Sequence, residues 1–206
     1  MQDYIPDQSI YKCMHELECE TLDKIREEVM NWVVQNTNFL NEKTVKNFWH
    51  QIDYKNMGRV CPSLIKYMAS IKLPIGQIAV GLLSESRATT GVILHNDAPP
   101  HNFKINFPIY NTEDIWTEWY DIPKDVMYKL DTIINPFTGT EEYDFNKIHC
   151  DVQDAYPCLM RYNMHHKPII FNSYVPHRVV PGPAAKYPRI MVATMPLVDP
   201  SKFMLQ

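Results

Sequence analysis

The chain changes character at Gly76, and this change limits the folds that it can adopt. Beyond this residue the apolar residues come in short runs rich in β-branched and aromatic side chains, and turn formers such as Asn111-Thr-Glu-Asp and Pro181-Gly-Pro separate the runs. Runs of this kind predict β-strands. The predicted strands are residues 78–83, 90–95, 104–110, 115–120, 168–172 and 189–194.

Before Gly76 the pattern is helical. Over residues 16–36 apolar residues recur at spacings of three and four, as in Ile25, Val29 and Trp32, which predicts an amphipathic helix. Residues 41–57 are weakly helical, and another helix is predicted to begin at Cys61-Pro-Ser and to end near residue 73.

Helices followed by many short strands predict an α+β fold, with a β-sandwich or jelly roll braced by N-terminal helices. The 206 residues match the length of a single domain. We therefore expect one domain over residues 1–206, with a helical part at about 1–75 and a β-rich core at about 76–206. The polar stretch 122–154 is predicted to be an insertion looped around Asn135-Pro-Phe-Thr-Gly.

Composition argues against several classes of function, although it leaves a local basic groove possible. Glycine accounts for only 6 of 206 residues, and neither G-x-G-x-x-G nor G-x-x-x-x-G-K occurs, so the sequence does not support nucleotide binding of the Rossmann or P-loop kind. The formal net charge of −4, without a long basic run, argues against a nucleic-acid partner. There is no signal peptide pattern and no apolar run of roughly 18–20 residues, so we expect no membrane association. The 5 cysteines form no C-x-x-C pair, which predicts free thiols and a cytoplasmic protein.

Two histidines and an aspartate form the strongest chemical pattern. His95 and Asp97 flank Asn96 at the end of a predicted strand, and residues i and i+2 of a strand point to the same face. His177, in Val175-Pro-His-Arg-Val, follows another apolar run. Two imidazoles and one carboxylate are the protein ligands of the facial iron(II) triad, which leaves the other metal face open. The sequence therefore predicts a metal site at His95, Asp97 and His177.

Arg189 completes the pattern. It follows His177 across a Pro-Gly-containing connection that is long enough to bring a neighbouring strand back beside the metal. A guanidinium can hold a carboxylate with two parallel hydrogen bonds, which an ammonium cannot do as specifically.

This ordered set resembles the iron(II)- and 2-oxoglutarate-dependent dioxygenases, and is most similar to small phage and bacterial members. Besides the H-x-D, the Pro-His and the late Arg, the resemblance includes Ile105-Asn-Phe-Pro-Ile, the aromatic pair Trp119-Tyr120 and Pro168-Ile-Ile-Phe-Asn. It covers roughly residues 77–197. It implies a double-stranded β-helix core, a jelly roll like that of the cupins, in the cytoplasm of a bacterium or of a virus-infected cell.

The resemblance also implies an activity. Iron(II), 2-oxoglutarate and O2 would be used to hydroxylate a C–H bond of a peptidyl or small-molecule substrate, with release of succinate and CO2. His95, Asp97 and His177 would bind iron, and Arg189 the distal carboxylate of 2-oxoglutarate. Many relatives carry Ser or Thr two residues after this Arg, where this chain has Met191, so another hydroxyl must assist.

Three further positions follow from the same resemblance. Tyr120 is the first choice for the assisting hydroxyl. Lys104 and Asn106 share one strand face and match in spacing a polar pair beside the cosubstrate. His101 is predicted to line the substrate entrance.

Simpler interpretations remain open for these residues. Asp97 could begin an Asx turn before Pro99-Pro100, and Arg189 could pair with a surface acid. Tyr120 also fits a core or a pocket wall. A cupin-like metalloenzyme is a second enzymatic alternative, although the usual H-x-H is absent. The alternative from another class is a non-catalytic jelly-roll binding module of a virus or bacterium.

Overall fold

The structure, a computed structural model, describes residues 13–37, 48–88, 91–97, 103–134, 141–149 and 151–200. Strands of the described residues are β1 Met14–Glu16, β2 Phe48–Asp53, β3 Ile75–Leu83, β4 Val92–His95, β5 Phe103–Tyr110, β6 Ile115–Tyr120, β7 Thr132–Ile134, β8 Glu141–Tyr143, β9 Cys158–Asn163, β10 Ile169–Asn172, β11 His177–Pro181 and β12 Arg189–Pro196. The α-helices are α1 Leu22–Asn36, α2 Tyr54–Val60, α3 Pro62–Ser70, α4 Lys124–Met127, α5 Asn146–His149 and α6 Val152–Ala155, and Glu85–Arg87 form a 3-10 turn.

The strands form two larger antiparallel sheets and a small hairpin. The six-stranded sheet has the order β1-β10-β5-β12-β3-β2, the four-stranded sheet has the order β4-β11-β6-β9, and β7 pairs with β8. Every strand pairing in the described part of the chain is antiparallel. The chain is therefore an α+β protein of mostly antiparallel sheets, compatible with a β-sandwich or jelly-roll-like fold.

Helices α1 to α3 cover one face of the six-stranded sheet. In α1 the buried side chains Leu22, Ile25, Val29 and Val33 recur at helical spacing and form one apolar stripe. The Asp53 carboxylate accepts the Asn56 N–H at 3.0 Å and so caps the start of α2. The largest core cluster joins these helices to the sheet through residues that include Leu64, Met68, Ile78, Val80, Ile105, Phe107, Ile190 and Val192.

The other face of this sheet looks toward the four-stranded sheet. Along β12, Ile190 and Val192 belong to the helix-side cluster, whereas Met191 packs against a second cluster that contains Trp119 and Phe171. Successive side chains of a strand point to opposite faces, so Arg189 lies on the same face as Met191. We call the layer between the two sheets the inner layer.

The outer face of the four-stranded sheet is also covered. Leu94 of β4 and Tyr120 of β6 form a third cluster with Ile122, Met127, Phe145 and Val152. The last four of these residues belong to the segment after β6, which carries the short helices and the small hairpin. This segment therefore covers the outer face. The alternate side chains of the same strands point into the inner layer.

Gly91 sets the distance between β4 and β11. Its φ is +58°, and a Cβ atom there would lie 1.8 Å from the carbonyl oxygen of Val179. Only glycine can therefore occupy this position without shifting the backbone. This close approach keeps β4 paired with β11 in the register that places His95 opposite His177.

The structure corrects several sequence predictions. The helix predicted over residues 16–36 begins only at Leu22, because Met14–Glu16 pairs with β10 as a strand. Within the weakly helical stretch 41–57, Phe48–Asp53 is a strand paired with β3, and residues 41–47 lie outside the described residues. The part expected to be helical thus supplies two strands to the larger sheet. The stretch 122–154 contains helices and a hairpin, although its expected centre at 135–140 is not described.

Most of the predicted strands are confirmed, as is the helix after Cys61. Among the described cysteines, Cys13, Cys19, Cys61 and Cys158 are free thiols. No helix in the described ranges is long and apolar enough to cross a bilayer.

Candidate functional site

The sheet register brings His95 and His177 together. They are directly opposite each other on β4 and β11, and their ring centroids are 4.3 Å apart with a tilt of 52°. His177 also lies opposite Trp119 of β6, and the Phe171 ring is 5.4 Å from its imidazole. Because Trp119 and Phe171 belong to the cluster between the sheets, both histidines face the inner layer.

Each imidazole is oriented by a backbone carbonyl. Nδ1 of His95 is 2.8 Å from the Ile93 oxygen, and Nδ1 of His177 is 2.9 Å from the Val175 oxygen. A carbonyl can only accept, so Nδ1 carries the proton and Nε2 carries the lone pair of each neutral ring. This is the arrangement by which a histidine is prepared to bind a metal through Nε2.

Burial keeps His177 neutral. Its residue is 4% exposed, and desolvation together with the neighbouring His95 lowers the pKa of His177 to about 3. At neutral pH this imidazole is therefore an electron-pair donor and not a cation.

Asp97 follows β4 and is held beside these rings. Its backbone N–H donates to the Ser173 carbonyl at 2.8 Å, and Lys104 Nζ donates to its Oδ1 at 2.6 Å. Both side chains of this ion pair are nearly buried, with exposed fractions of 12% for Lys104 and 11% for Asp97. The second oxygen of Asp97, Oδ2, is buried and has no hydrogen-bond partner within the ranges that the structure describes.

The charge state of Asp97 follows from its neighbours. Burial raises the pKa of its carboxyl, but Lys104, His95 and His177 outweigh this effect and lower the pKa below its ordinary value. Asp97 is therefore an anion with one free oxygen. An Asx turn is not needed to explain a carboxylate held in this way.

Lys104 and Asn106 share one face of β5, as predicted from their spacing. The intervening Ile105 and the following Phe107 belong to the helix-side cluster, which places the polar pair on the inner layer. Asn106 Oδ1 is buried and has no partner.

Arg189 is a buried cation without an anionic partner among the described residues. It is 5% exposed, its Nε has no hydrogen-bond partner, and its Nη1 is 3.5 Å from the sulfur of Met191. Burial lowers the pKa of Arg189 to about 10. The simpler interpretation was that Arg189 pairs with a surface acid. In the described part of the chain the guanidinium forms no such ion pair.

Arg189 and Lys104 lie at opposite ends of the inner layer. Ala193 of β12 pairs with Asn106 of β5, and Arg189 precedes Ala193 by four residues, or about 13 Å along the strand. The contact with Met191 directs the guanidinium along β12 toward the middle of the sheet. An elongated anion between these two cations would have one at each end.

Tyr187 is a residue that the sequence analysis missed. Its hydroxyl is buried without a partner, and it lies close enough to Arg189 for the two groups to influence each other's pKa. Burial raises the pKa of Tyr187, so its hydroxyl keeps its proton as a hydrogen-bond donor. The signal available in the sequence was only its position two residues before Arg189, in the connection that leads into β12.

The structure does not bring Tyr120 to Arg189, and this expectation is corrected. Tyr120 alternates with Trp119 along β6 and therefore faces outward, where it packs in the third cluster. Its hydroxyl donates to Glu118 at 2.6 Å. Burial, together with this hydrogen bond, raises the pKa of Tyr120. The aromatic pair Trp119-Tyr120 thus divides its side chains between the two faces. His101 lies outside the described residues.

The donor types fit a divalent transition metal, since two imidazole nitrogens and a carboxylate oxygen suit iron(II). Asp97 Oδ2 provides a buried oxygen with no competing donor. As the side chains stand, however, no group of three or more His, Cys, Asp or Glu among the described residues is arranged to hold a metal ion. The ammonium of Lys104 is the cation that contacts Asp97.

Comparison with known proteins gives little further constraint. No family model matches the chain, and no curated protein matches it. Among solved structures, AviO1 from Streptomyces viridochromogenes Tue57 is similar over 90% of this chain and 88% of its own, with 12% identity and a TM-score of 0.48. A likeness of this degree carries no argument about activity, so the function must be argued from the side chains.

Proposed function

We propose that the protein is an iron(II)- and 2-oxoglutarate-dependent oxygenase that hydroxylates a C–H bond of a peptidyl or small-molecule substrate. The observation that carries the proposal is the pairing of two oriented imidazoles and a carboxylate with a buried, unpaired Arg189 on the same inner layer. An uncompensated buried charge is costly, so a fold retains one where a ligand supplies the counter-charge.

Three side chains would hold the iron. His95 and His177 present Nε2 atoms fixed by the Nδ1 hydrogen bonds, and Asp97 presents Oδ2. Iron bound there with 2-oxoglutarate would supply the oxidising chemistry. The protein's own contribution is orientation of these donors and exclusion of water by Trp119 and Phe171, which are 0% and 5% exposed.

The dicarboxylate would be held at its far end by Arg189. The guanidinium offers two parallel donors to one carboxylate, and the nearby buried hydroxyl of Tyr187 would add a third donor. Met191 occupies the position of the missing hydroxyl and contacts Arg189 through sulfur, so the assisting hydroxyl must come from another residue. The buried hydroxyl of Tyr187, close to Arg189, supports its assignment to this role. Asn106 and Lys104 would act at the end nearer the metal ligands.

The strand connectivity supports a double-stranded β-helix. From β3 to β6 the chain alternates between the six-stranded and the four-stranded sheet, and from β9 to β12 it does so again. The two halves therefore wind around one shared layer, which is where the candidate ligands lie.

Succinate formation from 2-oxoglutarate tests the proposal. With iron(II), ascorbate and O2 supplied, we expect slow turnover even without substrate, and its loss in His95→Ala and Asp97→Ala. His50→Ala is the matched control, because His50 lies on β2 and packs against Trp32 of the helix layer, so turnover should persist. If the folded wild-type protein neither takes up iron(II) nor forms succinate, the alternative of a non-catalytic jelly-roll module is favoured.

A further inference from the structure

The ion pair between Lys104 and Asp97 raises a question that the proposed function leaves open. Lys104 Nζ lies 2.6 Å from Oδ1 of the carboxylate that would bind iron. A divalent metal on this carboxylate would be a second cation a few ångströms from the ammonium, and like charges repel strongly where water is largely excluded. Metal binding and the present position of Lys104 therefore oppose each other.

Lys104 cannot simply withdraw its charge into water. Its side chain is 12% exposed and lies on the inner face of β5, between the helix-side core and the opposite sheet. A buried ammonium that leaves one carboxylate needs another partner. Asn106 Oδ1, on the same strand face, is a buried acceptor without a donor, but it is neutral. Among the described residues Asp97 is the carboxylate that pairs with Lys104, so we infer that an anion from outside the protein provides the compensation.

We propose that Lys104 couples metal binding to dicarboxylate binding by exchanging partners, from Asp97 in the empty protein to a carboxylate of the ligand in the loaded one. This inference rests on the proposed function and adds a coupling to it. Binding of the acid relieves the repulsion between the Lys104 ammonium and the metal. In this scheme Lys104 acts on the metal through Asp97 and on the acid by direct contact.

The exchange has a consequence that a merely structural lysine would not have. Removal of the ammonium should strengthen binding of the metal alone and weaken binding of the acid, because the same charge opposes one ligand and attracts the other. Coupling between two binding sites typically changes affinities by about 5- to 150-fold, and linkage requires the effect to be reciprocal.

The experiment measures anaerobic binding of iron(II) alone, and then binding of succinate to the iron-loaded protein. Succinate has both carboxylates but no 2-oxo group, so it reports the contacts to carboxylate without chelation through a keto oxygen. In Lys104→Met we expect affinity for iron(II) alone to rise about tenfold and affinity for succinate to fall about tenfold. Lys104→Arg keeps the charge and should stay close to wild type in both measurements.

Lys147→Met is the matched control. Lys147 pairs with Asp131 at the same N–O distance of 2.6 Å, but the two side chains are 67% and 71% exposed. Its removal should leave both affinities unchanged. If Lys104→Met does not fold, Lys104→Gln removes the charge while retaining a donor, and the same opposite changes are expected.

The outcomes separate the two proposals. If wild type binds both ligands and Lys104→Met binds iron(II) no more tightly, or changes both affinities in the same direction, the exchange is overturned while the proposed function stands. If wild type binds neither iron(II) nor 2-oxoglutarate, the proposed function is overturned and the exchange with it. Opposite changes in the two affinities support the exchange.

Discussion

The two sides of the four-stranded sheet bury charge in different ways. On its outer face, Glu118 accepts hydrogen bonds from Tyr120 at 2.6 Å and from Arg178 at 2.9 Å, and Arg161 lies 3.3 Å from its second oxygen. In the inner layer, Arg189 Nε and Asp97 Oδ2 are buried, and neither has a hydrogen-bond partner among the described residues. Glu118 and Arg189 are similarly buried, at 4% and 5% exposed, yet of these two charges only Glu118 has an ion-pair partner among the described residues.

This difference indicates different roles. A buried network in which every charge is paired is self-sufficient and can hold strands together without a ligand. A buried cation without an anion destabilises the fold, so its presence is most simply explained by the binding of an acid. We therefore interpret the outer network as structural and the inner layer as the ligand site.

The largest expected effect comes from breaking the outer network. Arg178→Met leaves the Glu118 carboxylate buried without its main cationic partner, so the free energy of unfolding should fall by about 3–5 kcal/mol. Denaturant titration measures this change. Dicarboxylate binding by the folded fraction should remain, and its selective loss would show that the outer network belongs to the ligand site.

Arg189→Met should do the opposite. It removes an unpaired buried cation, so the free energy of unfolding should stay the same or rise. Affinity for 2-oxoglutarate should fall by about 2–3 kcal/mol, or about 30- to 150-fold, because the main charged donor is lost. Calorimetric titration and denaturant unfolding of one preparation provide both numbers. A strongly destabilised Arg189→Met would contradict the contrast between the two regions.

The pH dependence of the free energy of unfolding tests whether the charge of Glu118 stabilises the outer network. Burial raises the pKa of this carboxyl, but Tyr120, Arg178 and Arg161 together lower it below the ordinary value of 4.5. A carboxyl with a lowered folded-state pKa stabilises the fold above its unfolded-state pKa, and this contribution is lost as the pH falls through the folded-state value. The stability difference between wild type and Glu118→Gln should therefore be constant near neutral pH and narrow below about pH 4.5. A difference independent of pH would mean that the Glu118 charge adds nothing.

The smallest effects come from two tyrosines that form a matched pair. Tyr187→Phe should weaken 2-oxoglutarate binding by about 1 kcal/mol, roughly fivefold, since one hydrogen bond to a carboxylate is lost. Tyr120→Phe should lower the free energy of unfolding by about 1–2 kcal/mol, because Glu118 loses a buried donor, and should leave binding unchanged. If Tyr120→Phe alone affected binding, the assignment of Tyr187 would be wrong.

Much of the architecture could be predicted from local patterns. The alternation of β-branched runs and turn formers correctly predicted β3, β5, β6, β10 and β12. The local sequence of each of these strands is typical of β-structure, so no knowledge of distant contacts was needed. β1 and β2 were missed because pairing with β10 and β3 decides their conformation, and such contacts are distant in sequence. The sequence could likewise not predict that the segment after β6 covers a sheet face.

The candidate site shows the same division. The i, i+2 spacing of Lys104 and Asn106 was enough to predict their shared face of β5. Asp97 lies beyond the end of β4, and its contacts with Ser173 and Lys104 place it. The choice of Tyr120 failed because proximity to Arg189 depends on the strand on which a side chain lies and on the face it occupies. Tyr187 lies in the connection just before β12, near enough to Arg189 for the two groups to influence each other's pKa. The ion pair between Lys104 and Asp97 depends on the approach of two chain segments, which no local pattern reports.

An anaerobic titration with iron(II) and 2-oxoglutarate tests whether the inner layer binds a metal and a dicarboxylate together. We predict one iron and one 2-oxoglutarate per chain, with the visible charge-transfer absorbance of the chelate. That signal should be absent in His177→Ala, strongly weakened in Arg189→Met and retained in Arg178→Met. A folded wild-type protein that binds neither ligand, or an Arg189→Met variant that binds 2-oxoglutarate as tightly as wild type, would contradict the claim.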